Sequence, residues 1–286
     1  MPTPVAFAVL ANAILGASSI YWALFQGVSP VALVGYRVIF SLLLLFLVLA
    51  WLGKFSAFIR RIQARDIRLH AAAAVLVAVN WGAFIWASIS GAVLESGFGY
   101  LVAPVFAMAL GSALFREKMS RDQSLALLVI VAVIALLIGS SGRLEHWIYF
   151  TIAVTWGGYT LLKKRAALSS LEGLFVETLV LSVVLLFGVA LLFADSGGVD
   201  TLIQHPLIAV SGVVSVVPLV MFAVAARRLS SFTMGLLQFV LPTAQLVVSF
   251  WYFGQIAAPL TYLSFFVIWA VLFAVSWRGR GAATGG

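Results

Sequence analysis

The sequence contains no cysteine, so disulfide bonds, thiol catalysis and cysteine-ligated metal sites are excluded. Charged residues are scarce, at 9% of the 286 positions. No GxxxxGK[ST] motif occurs, which argues against ATP as the energy source. The three histidines (His70, His146 and His205) lie at the ends of apolar segments, so we expect neither a buried histidine relay nor a metal site. We expect no serine–histidine–acid set to converge, and the sequence indicates neither an enzyme nor a bound cofactor.

Long apolar runs fill most of the chain. Hydrophobic residues make up 64% of it, and the mean hydropathy is +1.16, which is outside the range of soluble domains. At about 20 residues per membrane span, these runs leave no room for a separate soluble domain. The N-terminal segment MPTPVAFAVLANAILG lacks the basic region and the cleavage site of a signal peptide, so we interpret it as the first span.

These runs predict an all-α integral membrane protein, because lipid cannot satisfy the hydrogen bonds of an irregular backbone. We expect Pro104, Pro218 and Pro242, which lie inside spans, to kink their helices or to leave backbone groups free. Ten transmembrane helices are predicted at Pro4–Phe25, Pro30–Leu52, Leu69–Ser90, Leu94–Phe115, Gln123–Ser140, His146–Leu162, Leu171–Phe193, Pro206–Ala226, Phe232–Phe253 and Pro259–Trp277.

The basic residues predict the orientation of the chain. The net charge is +8, yet the basic residues lie between apolar runs and do not form one patch, so we predict cytoplasmic loops and no nucleic-acid partner. Fifteen of the 17 Lys and Arg residues, Lys163 and Lys164 among them, fall in loops that follow even-numbered spans or in the C-terminal tail. By the positive-inside rule both termini are cytoplasmic. Asp195 and Asp200, with Gly197 and Gly198, mark one long outer loop.

One stretch of the sequence occurs twice. Residues 95–117 match residues 233–255 at an offset of 138, which places Gly97 on Gly235 and Pro104 on Pro242. We therefore divide the chain into a first five-helix repeat, residues 1–141, and a second, residues 142–286. Because five is odd, the second repeat enters the membrane from the opposite face, and inverted repeats are common in alternating-access transporters. Duplication that serves assembly alone is the alternative.

Two ionisable residues lie inside predicted spans. Arg37 is seven residues from the outer start of the second span, and Glu177 is about the same distance from the inner start of the seventh. Each is therefore about 10 Å deep, where a charge needs a partner or a water-filled cavity. They line a substrate path, with Arg37 attracting a carboxylate and Glu177 an amine or a proton, or they form a structural charge network.

Other polar and aromatic side chains inside the spans are candidates for substrate binding. Asn80 and Trp81 are expected near the middle of the membrane, and Tyr100 and Gln238 lie on the repeated helices. The amides need hydrogen-bond partners, and the rings offer flat apolar walls. Trp22 and Tyr159 are further candidates, although aromatic residues in spans commonly face lipid or the protein core. Glu95, at the outer start of the fourth span, is interpreted as a helix cap, as an outer gate or as a coupling residue together with Glu177.

Several of these segments resemble the drug/metabolite transporter superfamily, and within it the RarD-like branch of the EamA family. The resemblance lies in GYRVIF (35–40), NWGAFIWA (80–87), LESGFGYLVAP (94–104), FVETLVL (175–181) and LLQFVLP (236–242). Three positions depart from the family pattern. The Gly-Glu pair that usually ends the fourth helix of each half is Arg116-Glu117 in one half and Gly254-Gln255 in the other, and Ala103 replaces an asparagine.

The resemblance implies a central cavity between two rocking halves, and export of small solutes across the cytoplasmic (inner) membrane, amino acids among them. We therefore predict an alternating-access exporter of small amphipathic or zwitterionic solutes, such as amino acids with aromatic or hydrophobic side chains. The alternatives are a proton-coupled multidrug or cation exporter and a membrane scaffold without transport. The expected partners are a small-molecule substrate and the lipid bilayer, and both a monomer and a dimer fit the sequence.

Overall fold

The computed structural model describes residues 3–140, 146–188 and 198–284. Within these ranges the chain is helical, with a short 3₁₀ turn at Pro206–Val210. The α-helices are α1 (Pro4–Ala23), α2 (Pro30–Trp51), α3 (Phe55–Arg61), α4 (Ala64–Ile89), α5 (Val93–Leu114), α6 (Arg121–Ser140), α7 (His146–Arg165), α8 (Ser170–Gly188), α9 (Gly198–Gln204), α10 (Ser211–Arg228), α11 (Ser231–Gln238), α12 (Val240–Trp251) and α13 (Pro259–Thr284).

Eight segments of the described residues are long and apolar enough to cross a membrane. They are α1, α2, α4, α5, α6, the 3₁₀ turn with α10, α11 with α12, and α13 up to Trp277. The remaining long helices differ from these in composition or extent: α7 ends in three basic residues, and α8 borders residues 189–197, which lie outside the described part. The all-helical membrane class is confirmed, and the count of ten spans stays a prediction.

The start of α4 differs from its predicted bound. The helix begins at Ala64, five residues before the predicted Leu69. Gln63 and Asp66 form a capping box in which each side chain bonds to the other residue's backbone N–H. This arrangement satisfies two N–H groups that the first turn would otherwise leave free. The preceding loop also contains the short helix α3, whose Phe58 is buried.

The ninth predicted span is broken. It is divided at Phe239 into α11 and α12. Pro242 lacks an N–H, and its ring conflicts with the carbonyl four residues earlier, which belongs to Gln238. Pro104 and Pro218 lie inside the uninterrupted helices α5 and α10. The break therefore leaves the two halves with different fourth helices, one continuous and one discontinuous.

The contacts between helices occur in matched pairs. Under the predicted repeat, α1 corresponds to α7, α2 to α8, α4 to α10, and α5 to α11 with α12. The described helix α1 packs against α10 and α12, and its counterpart α7 packs against α4 and α5. Likewise α2 packs against α10, and α8 against α4. Glycines permit close approach in these pairs: a Cβ at Gly16 would lie 2.6 Å from the Leu241 carbonyl oxygen, and one at Gly99 2.7 Å from Ile152.

Some predicted features lie outside the described residues. They are the point of division at residues 141–145 with Arg143, and Asp195 and Gly197 of the predicted outer loop. The described residues form one large buried apolar cluster, which draws on most of the helices, and a smaller one between α5, α6, α11, α12 and α13. The candidate polar residues lie within the region of the larger cluster, as the next section describes.

Candidate functional site

Arg37 lies in a box of aromatic rings between three helices. Its guanidinium carbon is 3.9 Å from the centre of the Trp81 ring on α4 and 5.2 Å from the Trp22 ring on α1. The side chain comes from α2 and the residue is only 3% exposed. The structure therefore places two other predicted site residues, Trp22 and Trp81, directly against the Arg37 cation.

Two nitrogen atoms of the Arg37 guanidinium lack hydrogen-bond acceptors among the described residues. Its Nε and Nη1 atoms are buried without a partner among the described residues, and none of the ion pairs found in that part of the chain includes it. Cation–π contacts stabilise a desolvated cation by about 2 kcal/mol, but they do not satisfy N–H donors. A carboxylate is the group that best matches a guanidinium, because it accepts two parallel hydrogen bonds.

Asn80 lies beside this box in a hydrogen-bonded chain. Its Oδ1 accepts from the Tyr100 hydroxyl at 2.8 Å, and its Nδ2 donates to Thr155 Oγ1 at 3.2 Å. The amide thus connects α4 with α5 and α7. Asn80 is 1% exposed. These hydrogen bonds avoid the free-energy cost of burying an amide that has no hydrogen-bond partner. Asn80 therefore lies in the interior of the helix bundle, and its role in substrate binding stays a prediction.

A stack of rings continues from Tyr100 into α7 and α10. Tyr100 packs edge-on against Trp156, with 5.7 Å between ring centres. Trp156 stacks on Tyr159 at 5.6 Å and contacts Phe222 at 4.7 Å. The Trp156 Nε1 is buried without a partner among the described residues. Trp156 therefore joins the candidate site as a second unsatisfied donor, beside Arg37.

Glu177 belongs to a separate buried cluster. Its Oε1 lies 2.7 Å from His70 Nδ1 and accepts a hydrogen bond from Lys163 Nζ at 2.8 Å. Its Oε2 accepts from the Tyr159 hydroxyl at 3.0 Å. All four residues are at most 1% exposed. The carboxylate is thus held by two basic residues, and an ion pair between Glu177 and Arg37 is not formed.

The expected positions of His70 and Lys163 were wrong. We expected the histidines at span ends, outside any buried relay, and Lys163 in a cytoplasmic loop. His70 is buried because α4 begins before the predicted span and carries the ring into the interior. Lys163 is in the last turn of α7. In the sequence it is the first residue of the run KKR, and the run itself does not show that Lys163 is buried. Lys163 lies four residues after Tyr159, on the same helix face, and this spacing distinguishes it from Lys164.

The remaining candidates lie near the site without joining the Arg37 box. Gln238 Oε1 accepts a hydrogen bond from Thr160 Oγ1 at 3.3 Å, which ties α11 to α7. Gln238 is the residue at which α11 ends, so the break in the ninth span lies beside a candidate polar group. Glu95 lies in the first turn of α5 and is partly buried.

The candidate site is closed in this conformation. Arg37, Asn80, Tyr100, Glu177 and the other predicted site residues Trp22, Trp81, Tyr159 and Gln238 are at most 5% exposed. A groove of about 610 Å³ lies elsewhere and is lined entirely by apolar residues such as Ile39, Phe46 and Phe175. The candidate residues are therefore packed away from solvent in this conformation, and the expected central cavity stays a prediction.

Known proteins resemble this chain over almost its whole length. Residues 3–139 match the model of the EamA-like transporter family. Protein RarD of Streptomyces exfoliatus is 33% identical over 92% of this chain and 84% of that protein. An uncharacterized transporter of Pseudomonas aeruginosa is 32% identical over 94% of this chain and 92% of that protein. Protein RarD of Salmonella typhimurium is 30% identical, with the same coverage.

Proposed function

Since the chain belongs to the EamA-like transporter family, we propose that it carries small carboxylate-bearing solutes across the membrane by alternating access. Amino acids with aromatic or hydrophobic side chains are the proposed substrates, and export is the proposed direction. The protein is a multi-pass protein of the cytoplasmic membrane, in a family of transporters. The proposal concerns what is carried, by which residues and in which direction.

The observation that carries the proposal is the unpaired guanidinium of Arg37. A buried cation is expensive unless it is paired and hydrogen-bonded, and two of its nitrogen atoms have no acceptor among the described residues. A substrate carboxylate supplies both the charge and the acceptors. The rings of Trp81 and Trp22 against the guanidinium keep water out and offer apolar surface for a hydrophobic side chain.

The other candidate residues take complementary roles. Asn80 and Gln238 are proposed to hydrogen-bond the polar parts of the substrate when the site opens, and Tyr100 and Tyr159 to stack against its apolar part. Glu95, at the start of α5, is proposed as part of an outer gate. In the present conformation Asn80 is bonded to Tyr100 and Thr155, so substrate entry exchanges these internal bonds for bonds to the substrate.

The helix packing supports a two-fold architecture. The paired contacts of α1 and α7 are those expected of two similar units of residues 1–141 and 142–286. With ten spans the repeats are inverted and both termini are cytoplasmic. Rocking of such halves exposes the interface between them to one side at a time. Arg37 and Trp22 come from the first unit and Tyr159 from the second, so the candidate site lies at that interface.

The cation-exporter alternative is less well supported. It requires the Glu177 carboxylate to bind a cationic drug, yet that carboxylate already accepts a hydrogen bond from Lys163 and lies 2.7 Å from His70. A cation would have to displace a buried lysine. The scaffold alternative predicts no substrate-dependent flux under any gradient.

Counterflow in proteoliposomes tests the proposal. Vesicles loaded with unlabelled phenylalanine, leucine, lysine or tetraphenylphosphonium are diluted into the labelled form of the same compound. We expect exchange of phenylalanine and leucine above that of protein-free vesicles, and none of the lipophilic cation. Vesicles with the protein in each orientation then report the direction of net flux. Exchange of the cation alone supports a cation exporter, and absence of all exchange supports a scaffold.

A further inference from the structure

The cluster around Glu177 has no role in binding a carboxylate, yet it is the most highly charged buried site among the described residues. His70 from α4, Lys163 from α7 and Glu177 from α8 meet there, and Glu177 Oε1 contacts both basic side chains. With a neutral imidazole, one positive and one negative charge balance. The cluster can therefore accept one more proton only by becoming a net cation.

His70 has an unused proton-accepting atom. Its Nδ1 is engaged with Glu177, which leaves Nδ1–H as the donor and Nε2 as the acceptor. Nε2 is buried without a partner among the described residues. The ring packs tightly against α8: a Cβ on Gly173 would lie 2.4 Å from the Cε1 of His70 and 3.0 Å from Nε2. A glycine at 173 is thus required for this position of the ring.

The ring also borders a pocket at the end of the bundle. This pocket has a volume of about 380 Å³ and is lined by His70 together with Arg65, Asp66 and Arg165. These residues lie at the start of α4 and the end of α7, which are the predicted cytoplasmic ends of both helices. Of the three residues His70, Lys163 and Glu177, His70 is the one that lines this pocket.

From the cluster, contacts lead to the candidate substrate site. Glu177 Oε2 holds the Tyr159 hydroxyl, and Tyr159 stacks on Trp156. Trp156 packs on Tyr100, whose hydroxyl donates to Asn80, the neighbour of Trp81 in α4. These contacts connect Glu177 with the residues around Arg37.

We propose that His70 and Glu177 form a proton-binding site that is reached from the cytoplasm through this pocket and that controls the Arg37 site. This inference rests on the proposed function. A proton from water adds to Nε2, and the resulting imidazolium draws the Glu177 carboxylate towards Nδ1–H. The hydrogen bond from Tyr159 to Oε2 then weakens, which frees the Tyr159 ring to move. The proton is thus the coupling ion.

Charged and titratable groups face His70 from the helices packed against it. α8 contributes Glu177, α7 contributes Lys163, Tyr159 and Arg165, and α4 itself contributes Asp66 and Arg65. The other acid of α8, Glu172, is paired with Arg61, and α2 and α5 contribute Arg37 and Tyr100 beyond the Tyr159 ring.

Uptake driven by a pH gradient tests the coupling. Labelled phenylalanine accumulation with a gradient and counterflow without one are compared in wild-type vesicles, in His70→Gln and in His146→Gln. His146 is the matched control, because it is exposed and bonds only to the Tyr149 hydroxyl. We expect gradient-driven accumulation in His70→Gln to be at least about tenfold lower than in wild type, while its counterflow persists. His146→Gln should match wild type in both measurements. Accumulation that needs no gradient in wild type, or that survives in His70→Gln, overturns the inference.

A second measurement needs no substrate. The tryptophan fluorescence of the detergent-purified protein is titrated between about pH 5 and pH 8, where imidazoles exchange protons. We expect a transition in wild type and in His146→Gln that is absent in His70→Gln and in Gly173→Ala, which keeps the imidazole but displaces it. A wild type without a transition, or one that persists in His70→Gln, contradicts the proton site. A His70-dependent transition without exchange of any amino acid supports this site and rejects the proposed substrates.

Discussion

The guanidinium carbon of Arg37 lies 3.9 Å from the centre of the Trp81 ring, although the two residues come from different helices, α2 and α4. A buried arginine usually has a carboxylate as its partner, and here it has aromatic faces. Its Nε and Nη1 remain without acceptors among the described residues. The arrangement leaves the cation shielded from water and ready for an anionic ligand.

Arg37→Lys tests whether this guanidinium binds substrate. The lysine keeps the charge but loses the planar fork that donates two parallel hydrogen bonds to a carboxylate. We expect phenylalanine counterflow to fall about 10- to 100-fold, which corresponds to the 1.5–3 kcal/mol of a hydrogen bond to a charged group. Thermal unfolding in detergent should change little, because the same charge stays among the same rings. A large loss of stability with unchanged specific transport would assign Arg37 to structure alone.

Tyr100→Phe tests the hydrogen bond between Tyr100 and Asn80. Removing the hydroxyl leaves Asn80 Oδ1 without the donor that now lies 2.8 Å away. We expect the free energy of unfolding to fall by about 1–2 kcal/mol, as for other buried acceptors that lose their donor. Tyr149→Phe is the matched control. Its hydroxyl contacts exposed His146 at 3.0 Å, and the change should stay below about 0.5 kcal/mol. Equal effects of both variants would show that burial does not matter here.

Arg116 and Gly254 end corresponding helices in the same left-handed conformation, with φ of 54° and 63°. Glycine adopts this conformation without strain, whereas other residues do so at a cost of about 1–2 kcal/mol. We expect Arg116→Gly to stabilise the protein by about 0.5–1 kcal/mol, after allowing for the greater freedom of glycine in the unfolded chain. Gly254→Arg should destabilise by a similar amount. Chemical unfolding of both variants checks this, and a stability change of the same sign in the two would refute it.

Glu117 predicts a pH dependence of stability. Desolvation raises the pKa of Glu117. Hydrogen bonds from the Lys164 ammonium and the Ser231 backbone lower it by a larger amount, so the pKa lies below the ordinary value of 4.5. A carboxylate with a depressed pKa stabilises the fold above its unfolded pKa, and this contribution disappears as the pH falls through the folded pKa. Glu117→Gln should therefore be less stable than wild type by about 0.5–1 kcal/mol near neutral pH.

The difference between wild type and Glu117→Gln should shrink and then vanish as the pH falls through the folded pKa of Glu117, which lies below 4.5. Thermal unfolding over a pH series measures it. Lys118→Gln, an exposed neighbour, serves as the control and should show no such convergence. The stability difference between wild type and Glu117→Gln could instead be constant across the series. The ion pair of Glu117 with Lys164, at 2.5 Å, would then not be the cause of the difference.

The helices were predictable because hydropathy depends on local composition. Long apolar runs, with Pro30 and Pro259 at their starts, located α2 to within one residue and the start of α13, which continues past the predicted Trp277 to Thr284. The break at Phe239 was not located, since Pro104 and Pro218 also lie within spans and leave α5 and α10 uninterrupted. A proline permits a break, and the packing of neighbouring helices decides whether it occurs.

Individual residues of the candidate site could be predicted from the sequence, but not which of them are in contact. Arg37 and Glu177 stood out because charges are rare in spans, but their partners depend on which helices pack together. Neither the contact between Arg37 and Trp81 nor that between Glu177 and His70 has a local signature. Lys163 was misplaced because a basic run near a span end normally faces water, and in this chain the first member of the run turns inward.

The central claim is that Arg37 binds a substrate carboxylate, and competition between phenylalanine and phenylalaninamide tests it most directly. The two compounds share the ring and the amine, and the amide lacks the anionic group. In wild-type proteoliposomes, both unlabelled compounds compete with the counterflow of labelled phenylalanine. The concentration of phenylalanine that inhibits by half should be at least about tenfold lower than the concentration of phenylalaninamide that does so. Inhibition by the two compounds at equal concentrations would contradict the account, because the site would then not recognise the carboxylate.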